Sequence, residues 1–394
     1  MDVRIIKNSI PAQYDSAIGD IVLQISEGNQ KIGEITSKKY TLFYVDSNVR
    51  EELAPDIIKY HIWSIRNLCP QLPYFYFTNC MIKNKNNVII RLYRYHTVEK
   101  TFEIIYEMED NIFLYLHQKK TKIFLLDENY ILIEHQYLKS NETDSYQGFL
   151  DFELFLYSMK EQRAFTITDD NFLQGGIFDI FPISKNICAI KIGYDLLEDR
   201  RFEKLKEKEI AVESIGFVNI KQMISDILVK QNNIFIDIVD QVKGGKTIPC
   251  FQVKDEYLIY SRVSRDGQEE VIYYNYNTKE AKACINTSVF ELTDLAKAYI
   301  SNGKPYILTE TKKGLRLYNI IEEEIEWMFE KDSVLKELTD DWIVVEVKKK
   351  RLFRKAYSMV QVFQCSIKKV IVQERGHFFK LFHPKEDKLY LFIK

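Results

Sequence analysis

Histidine is the side chain best suited to acid–base and metal chemistry near neutral pH, and the sequence holds six: His61, His96, His117, His135, His377 and His383. None stands in an HExxH helix or beside a second ligand at metal spacing. His96, His117 and His135 alternate with apolar residues in strand-like segments, which suits a structural or surface role. His377 and His383 lie six residues apart. In an unbroken strand, alternation would put both on one face, so this pair holds the most chemical interest of the six.

Lys243-Gly-Gly-Lys246-Thr247 ends as a phosphate-binding loop ends, but that loop needs a glycine five positions before Gly245, where the chain has Asp240. Its flanks, Ile234-Phe-Ile-Asp-Ile-Val and Ile248-Pro-Cys-Phe, both read as strands, so a turn is the simpler account. Asp169-Asp170-Asn171 and Glu198-Asp199 could offer oxygen ligands to a hard cation. They lack the spacing of a calcium loop and read as solvated turns. There is no G-x-S-x-G elbow. Cys69, Cys80, Cys188, Cys250, Cys284 and Cys365 stand singly, as reduced thiols do. No catalytic residue, metal ligand or cofactor is therefore assigned.

One run is dense in positive charge: Lys348, Lys349, Lys350, Arg351, Arg354 and Lys355, with Phe353 and Tyr357 beside it. Such a run can meet a phosphate backbone or an acidic partner, and these six residues are the candidate partner-binding surface. A charged hairpin between a second and a third strand accounts for the same residues, with acidic Glu322 to Glu326 one repeat earlier to offset it. The totals, 55 basic and 57 acidic residues for a net charge of −2, supply no field toward nucleic acid or an anionic membrane. A protein or peptide partner is expected, and nucleic acid is disfavoured.

The elements that position these residues read as strands. Twenty-five Tyr and twenty-five Phe against fourteen Gly and eight Pro suit a pleated, half-buried surface. No apolar run reaches the roughly 18–20 residues that span a bilayer, and residues 1–20 do not read as a signal peptide. The expected compartment is the cytosol. Richness in Ile, Lys, Asn and Tyr suggests an AT-rich genome, as in a low-GC bacterium.

A repeat runs through the strands. Gly176-Ile-Phe-Asp-Ile-Phe-Pro182 with its turn at Asn186 matches Gly376-His-Phe-Phe-Lys-Leu-Phe with its turn at Asp387. Similar hairpins turn near Asn86, Asn129, Asp255, Gly303 and Asp340, so successive gaps are 43, 57, 69, 48, 37 and 47 residues. Tyr274, Tyr318 and Phe363, on strands that end in charged turns, recur 44 and 45 residues apart. A recurrence near 40 to 50 residues is the spacing of a four-stranded unit that must stack radially to bury both faces. The architecture resembles a β-propeller over about residues 70–394.

The expected fold is therefore all-β, a propeller of seven blades within a range of five to eight. Residues 1–50 supply strands that close the ring, Ile21 to Ile25 and Tyr40 to Val45 pairing beside the C-terminal hairpin. Residues 51–69 form a short helical connection, from the spacing of Ile57, Ile58, Ile62, Ile65 and Leu68. Residues 195–230 form a helical insertion outside the repeated sheets, with Ile220, Met223, Ile224 and Ile227 on one face. The expected function is a non-catalytic protein- or peptide-binding scaffold. The alternative is an enzyme or small-ligand receptor whose site lies in the central channel, built from first-strand residues too dispersed to form a motif.

Overall fold

The computed structural model describes residues 2–7, 17–18, 20–32, 35–57, 64–68, 73–84, 87–111, 122–139, 149–167, 177–193, 211–229, 234–243, 248, 251–254, 256–263, 269–286, 297–301, 304–311, 314–339, 341–351, 354–385 and 388–394. Among them the strands fall into eight small sheets. Sheet I holds Ala17–Ile18, Ile21–Ile32, Ile35–Tyr44 and Val49–Ile57. Sheet II holds Tyr74–Ile82, Asn87–His96 and Thr101–Asn111. Sheet III holds Lys122–Leu125, Tyr130–Lys139, Phe149–Ser158 and Arg163–Thr166, with Ser64–Asn67 added in parallel along Lys122–Leu125.

Sheet IV holds Ile177–Pro182, Ile187–Gly193, Ala211–Asn219 and Asp237–Lys243. Sheet V holds Phe251–Lys254, Tyr257–Val263, Glu269–Asn275 and Glu280–Asn286. Sheet VI holds Lys297–Ser301, Lys304–Thr311, Gly314–Asn319 and Glu324–Met328. Sheet VII holds Ser333–Thr339, Trp342–Arg351, Arg354–Gln364 and Lys369–Arg375. Sheet VIII joins Phe378–Lys385 and Lys388–Ile393 from one end of the chain to Asp2–Lys7 from the other.

One backbone hydrogen bond recurs in seven of these sheets. The N–H that follows one strand donates to a carbonyl at or just before the start of the strand it pairs with, from Val45, Thr97, Met159, Ile220, Tyr276, Ile320 and Cys365 to Asp20, Pro73, Asn129, Asn186, Glu256, Pro305 and Asp341, at 2.7 to 3.1 Å. In six sheets the turn after the third strand ends on a left-handed residue: Asn48, Lys100, Gln162, Lys279, Glu323 and Lys368 have φ between 50° and 61°. Glycine would adopt that conformation most cheaply, yet none of the six is glycine. Side chains at the strand end hold several of these turns instead. Asn275 Oδ1 accepts from the N–H groups of Asn277 and Thr278, and Asn319 Oδ1 accepts from those of Ile321 and Glu322.

Eight apolar layers join the sheets in cyclic order. Leu23 and Tyr40 of sheet I meet Phe75 and Tyr93 of sheet II, and Leu92 of sheet II meets Ile131 of sheet III. Leu156 meets Ile190 between III and IV, Phe217 meets Tyr260 between IV and V, and Ile259 meets Ile307 between V and VI. Leu317 meets Val345 between VI and VII, Val344 meets Leu391 between VII and VIII, and Phe392 of sheet VIII returns to Phe43 of sheet I. Each sheet buries both faces against its neighbours, and that burial is the reason the repeat holds together.

The chain ends meet, though not through the strands expected. Asp2–Lys7 pairs in parallel with Lys388–Ile393, whereas Ile21–Ile32 and Ile35–Tyr44 pair with each other in sheet I. Gly376, at φ +149°, enters sheet VIII where an added Cβ would collide with the Ile393 side chain. The expected helix over 51–69 is corrected where it is described: Val49–Ile57 and Ser64–Asn67 are strands. The spacing of the isoleucines suggested a helix, but Pro55 sits on the edge strand of sheet I, where the register shifts between Lys38 and Tyr40. An edge strand and a bulge are where a sheet tolerates proline.

The expected insertion is corrected as well. Ala211–Asn219 is the third strand of sheet IV, paired on both sides. Helix α1, Ile220–Leu228, follows directly, at the place where other sheets have their four-residue turn. Asn219 caps it by accepting from the Gln222 N–H at 3.1 Å. Ile220, Met223, Ile224 and Ile227 are buried between sheets III and IV, so the helix belongs to the core. Residues 194–210 lie outside the described residues. The hairpin near Asn86 joins Tyr74–Ile82 to Asn87–His96.

Candidate functional site

Polar groups gather where sheets VII and VIII present their first strands. Lys380 on Phe378–Lys385 is ion-paired with Glu337 on Ser333–Thr339, and the Leu381 N–H donates to Glu337 Oε2 at 3.2 Å. One step outward, His377 Nδ1 lies 2.8 Å from Glu346 Oε1, the Phe378 N–H reaches Glu346 Oε2 at 3.4 Å, and Lys336 Nζ stands 3.5 Å away. Two carboxylates, two ammonium groups and an imidazole thus lie on adjoining strands of two sheets. The His377 side chain is 68% exposed while that of Glu346 is 10% exposed, so the imidazole is the accessible end of the pair.

Burial alone would raise the Glu346 carboxyl. The His377 contact, Ser358, Lys336 and the Phe378 N–H outweigh it and hold the group below the usual carboxylate range. Glu337 exists in this position because the strand bulges between Leu335 and Glu337, which re-aims the side chain. The arrangement offers an ion pair and a carboxylate–imidazole pair to a charged ligand. It shows no nucleophile beside a base.

The sequence candidates fall unevenly around this cluster. His377 is part of it. The strand that follows shifts register between Phe378 and Lys380 and again between Phe382 and Lys385, so the alternation that would align His383 is broken. The basic run stands where expected, at the second-to-third turn of sheet VII, with Arg351 paired to Arg354. Lys349 is ion-paired with Glu330, Lys348 is exposed, and the side chains of Lys350, Arg351, Arg354 and Lys355 lie outside the described residues. The hairpin lies at the same end as His377, since the Gly376 N–H donates to Ser358 at 3.1 Å.

The acidic run serves other partners than this hairpin. Glu322 meets Lys304 at 3.3 Å and Glu326 meets Lys368 at 3.2 Å. His96 Nδ1 accepts from the Glu99 N–H at 2.8 Å, a turn-holding role. Cys188 and Cys365 are buried. His61, His117, Asp169, Asp170, Asn171, Glu198, Asp199 and residues 244–247 lie outside the described residues. Sequence reasoning missed Lys336, Glu337, Glu346 and Lys380; they come from three strands in no recognisable motif, and only the packing of two sheets joins Lys380 to the others.

Small antiparallel sheets packed face to face in cyclic order make a β-propeller. No family model matches the chain, and no curated protein matches it in sequence. Among solved structures it is similar to Porphyromonas gingivalis dipeptidyl peptidase 4, with a TM-score of 0.51 at 9% identity over 90% of this chain and 50% of that one. The β-propeller domain of the Trilobed protease from Pyrococcus furiosus gives 0.47 at 10% identity, over 91% and 96%. The acylaminoacyl peptidase of Pyrococcus horikoshii gives 0.44 at 11%, over 89% and 51%. The chain thus spans about half the length of two of these three proteins.

The likeness of fold to dipeptidyl peptidase 4 corrects the expectation of a non-catalytic scaffold. That expectation rested on the lack of a reactive motif in the strands, and the fold is one that peptidases contain. Lack of a motif in the propeller is then no ground for setting enzymes aside. Among the described residues, no helix is long and apolar enough to cross a membrane.

Proposed function

We propose that the chain is an eight-bladed propeller, at the upper end of the expected range, that handles peptide-like ligands for a peptidase or related hydrolase. Its first strands line the channel. The observation that carries this reading is the charged cluster of Lys336, Glu337, Glu346, His377 and Lys380 on two adjoining sheets. A zwitterionic peptide carries both charges such a cluster complements, its amine for the carboxylates and its carboxylate for Lys380 or His377. The basic hairpin Lys348 to Lys355 stands at the same end and would favour acidic peptides. Binding of fluorescent tetrapeptides with free or blocked termini tests the reading. Lys380→Met and Glu337→Gln should each weaken binding of the free peptide about tenfold, the loss of one charged contact. Equal binding by wild type and both variants would remove the channel site.

A further inference from the structure

The layer between sheets V and VI is apolar in its middle and polar toward one end. Ile259, Val271, Ile307 and Ile320 fill it, with Tyr257, Tyr273 and Tyr318 packed alongside. Alternation along the strands carries Ser261, two residues past Ile259, and Thr309, two past Ile307, into the same layer. Thr309 stands directly opposite Arg316 in the register. Leu315 and Leu317 on either side of Arg316 face sheet VII, so Arg316 projects toward sheet V.

These three residues share one condition. Ser261 is 0% and Thr309 2% exposed. Among the described residues, Ser261 Oγ, Thr309 Oγ1 and Arg316 Nε are all buried with no hydrogen-bond partner. Arg91, Arg94 and Arg262, on comparable strands, each lie against a carboxylate. Among the described residues Arg316 has none. Buried polar groups are ordinarily paired, and what these three have in common is that all can donate, one of them from a cation. Converging donors around a guanidinium are the chemistry that receives an oxyanion.

We propose that Ser261, Thr309 and Arg316 form a binding site for a small oxyanion, a carboxylate or a phosphate, between sheets V and VI. The half-buried Arg316 is its open side, and the two hydroxyls are its floor. The site is separate from the charged cluster of sheets VII and VIII and does not depend on it.

Thermal melting of the full chain at constant ionic strength tests this, with chloride replaced by acetate, by inorganic phosphate, or by acetyl-dialanine in its free and amidated forms. A saturable rise in melting temperature is expected with the oxyanions and none with the amidated peptide. Phosphate and carboxylate arms tell the two sources apart. Arg316→Gln should weaken the response at least tenfold. Thr309→Val should melt higher than wild type in chloride, because it removes an unpaired buried hydroxyl, and should lose the response; Ser261→Ala gives the same readout should Arg316→Gln not fold. No oxyanion-specific rise, an undiminished response in Arg316→Gln, or a Thr309→Val that melts lower in chloride would overturn the site.

Discussion

The seam between sheets VIII and I and the seam between sheets III and IV close similar gaps by different chemistry. At the first, an apolar layer of Val22, Phe43, Phe382 and Phe392 is edged by a charged latch. Asp46 in a turn of sheet I meets Arg4 at 3.0 Å and Lys388 at 2.5 Å, tying together the strands that bring the chain ends into one sheet. At the second, helix α1 replaces a turn and adds Ile220, Met223, Ile224 and Ile227 to an already apolar layer. An exposed latch contributes little free energy, whereas buried side chains contribute in proportion to the area they remove from water. The first seam owes its strength to its apolar layer and to the strand pairing inside sheet VIII that brings the chain ends together, and the second to added buried volume.

Removing residues 2–7 should have the largest effect. It takes away a six-residue partner from Lys388–Ile393, and at roughly 1 kcal/mol per hydrogen bond the loss is about 3–6 kcal/mol. Guanidinium denaturation would show it, and an unchanged midpoint would mean that the strand adds nothing to closure. At the other seam, Met223, 1% exposed, should cost about 2–5 kcal/mol on substitution by alanine. A cost near zero would place the helix outside the core.

Smaller effects sharpen the contrast. Asn219→Ala removes the cap of α1 and should cost about 1 kcal/mol, read in the same denaturation experiment. Asp46 is the weakest element. Its hydrogen bond from Lys388 is the largest influence on it and holds its carboxyl below the ordinary 3.8. A lowered carboxyl contributes stability that is present above 3.8 and is lost as pH falls through the lower folded value. Asp46→Asn should flatten that part of the acid dependence, lying slightly below wild type near pH 7 and converging with it at low pH. An acid profile identical to wild type would show that the latch has no role.

The third strands of sheets V, VI and VII were legible because Tyr274, Tyr318 and Phe363 each stand one residue before the strand end, so their spacing repeated the sheet. Seven hairpins could be read from polar residues between apolar runs. The one at the start of sheet I could not, since Ala17–Ile18 is only two residues long. Ser64–Asn67 pairs in parallel with Lys122–Leu125, which lies more than fifty residues further on, and no local pattern records so distant a partner. The charged cluster was illegible for a similar reason. Glu337 and Lys380 are 43 residues apart and meet only because two sheets pack, while His377 was noticed for a partner, His383, that the bulged strand does not align with it.

Hydrogen exchange followed by mass spectrometry tests the closure of the ring most directly. If Asp2–Lys7 is the third strand of sheet VIII, its amides should be protected to the same degree as those of Lys388–Ile393, and both should open in one cooperative step with the apolar layer between sheets VIII and I. Amides of residues 2–7 that exchange at the rate of an unstructured peptide while 388–393 stay protected would contradict the closure, and with it the eight-bladed ring.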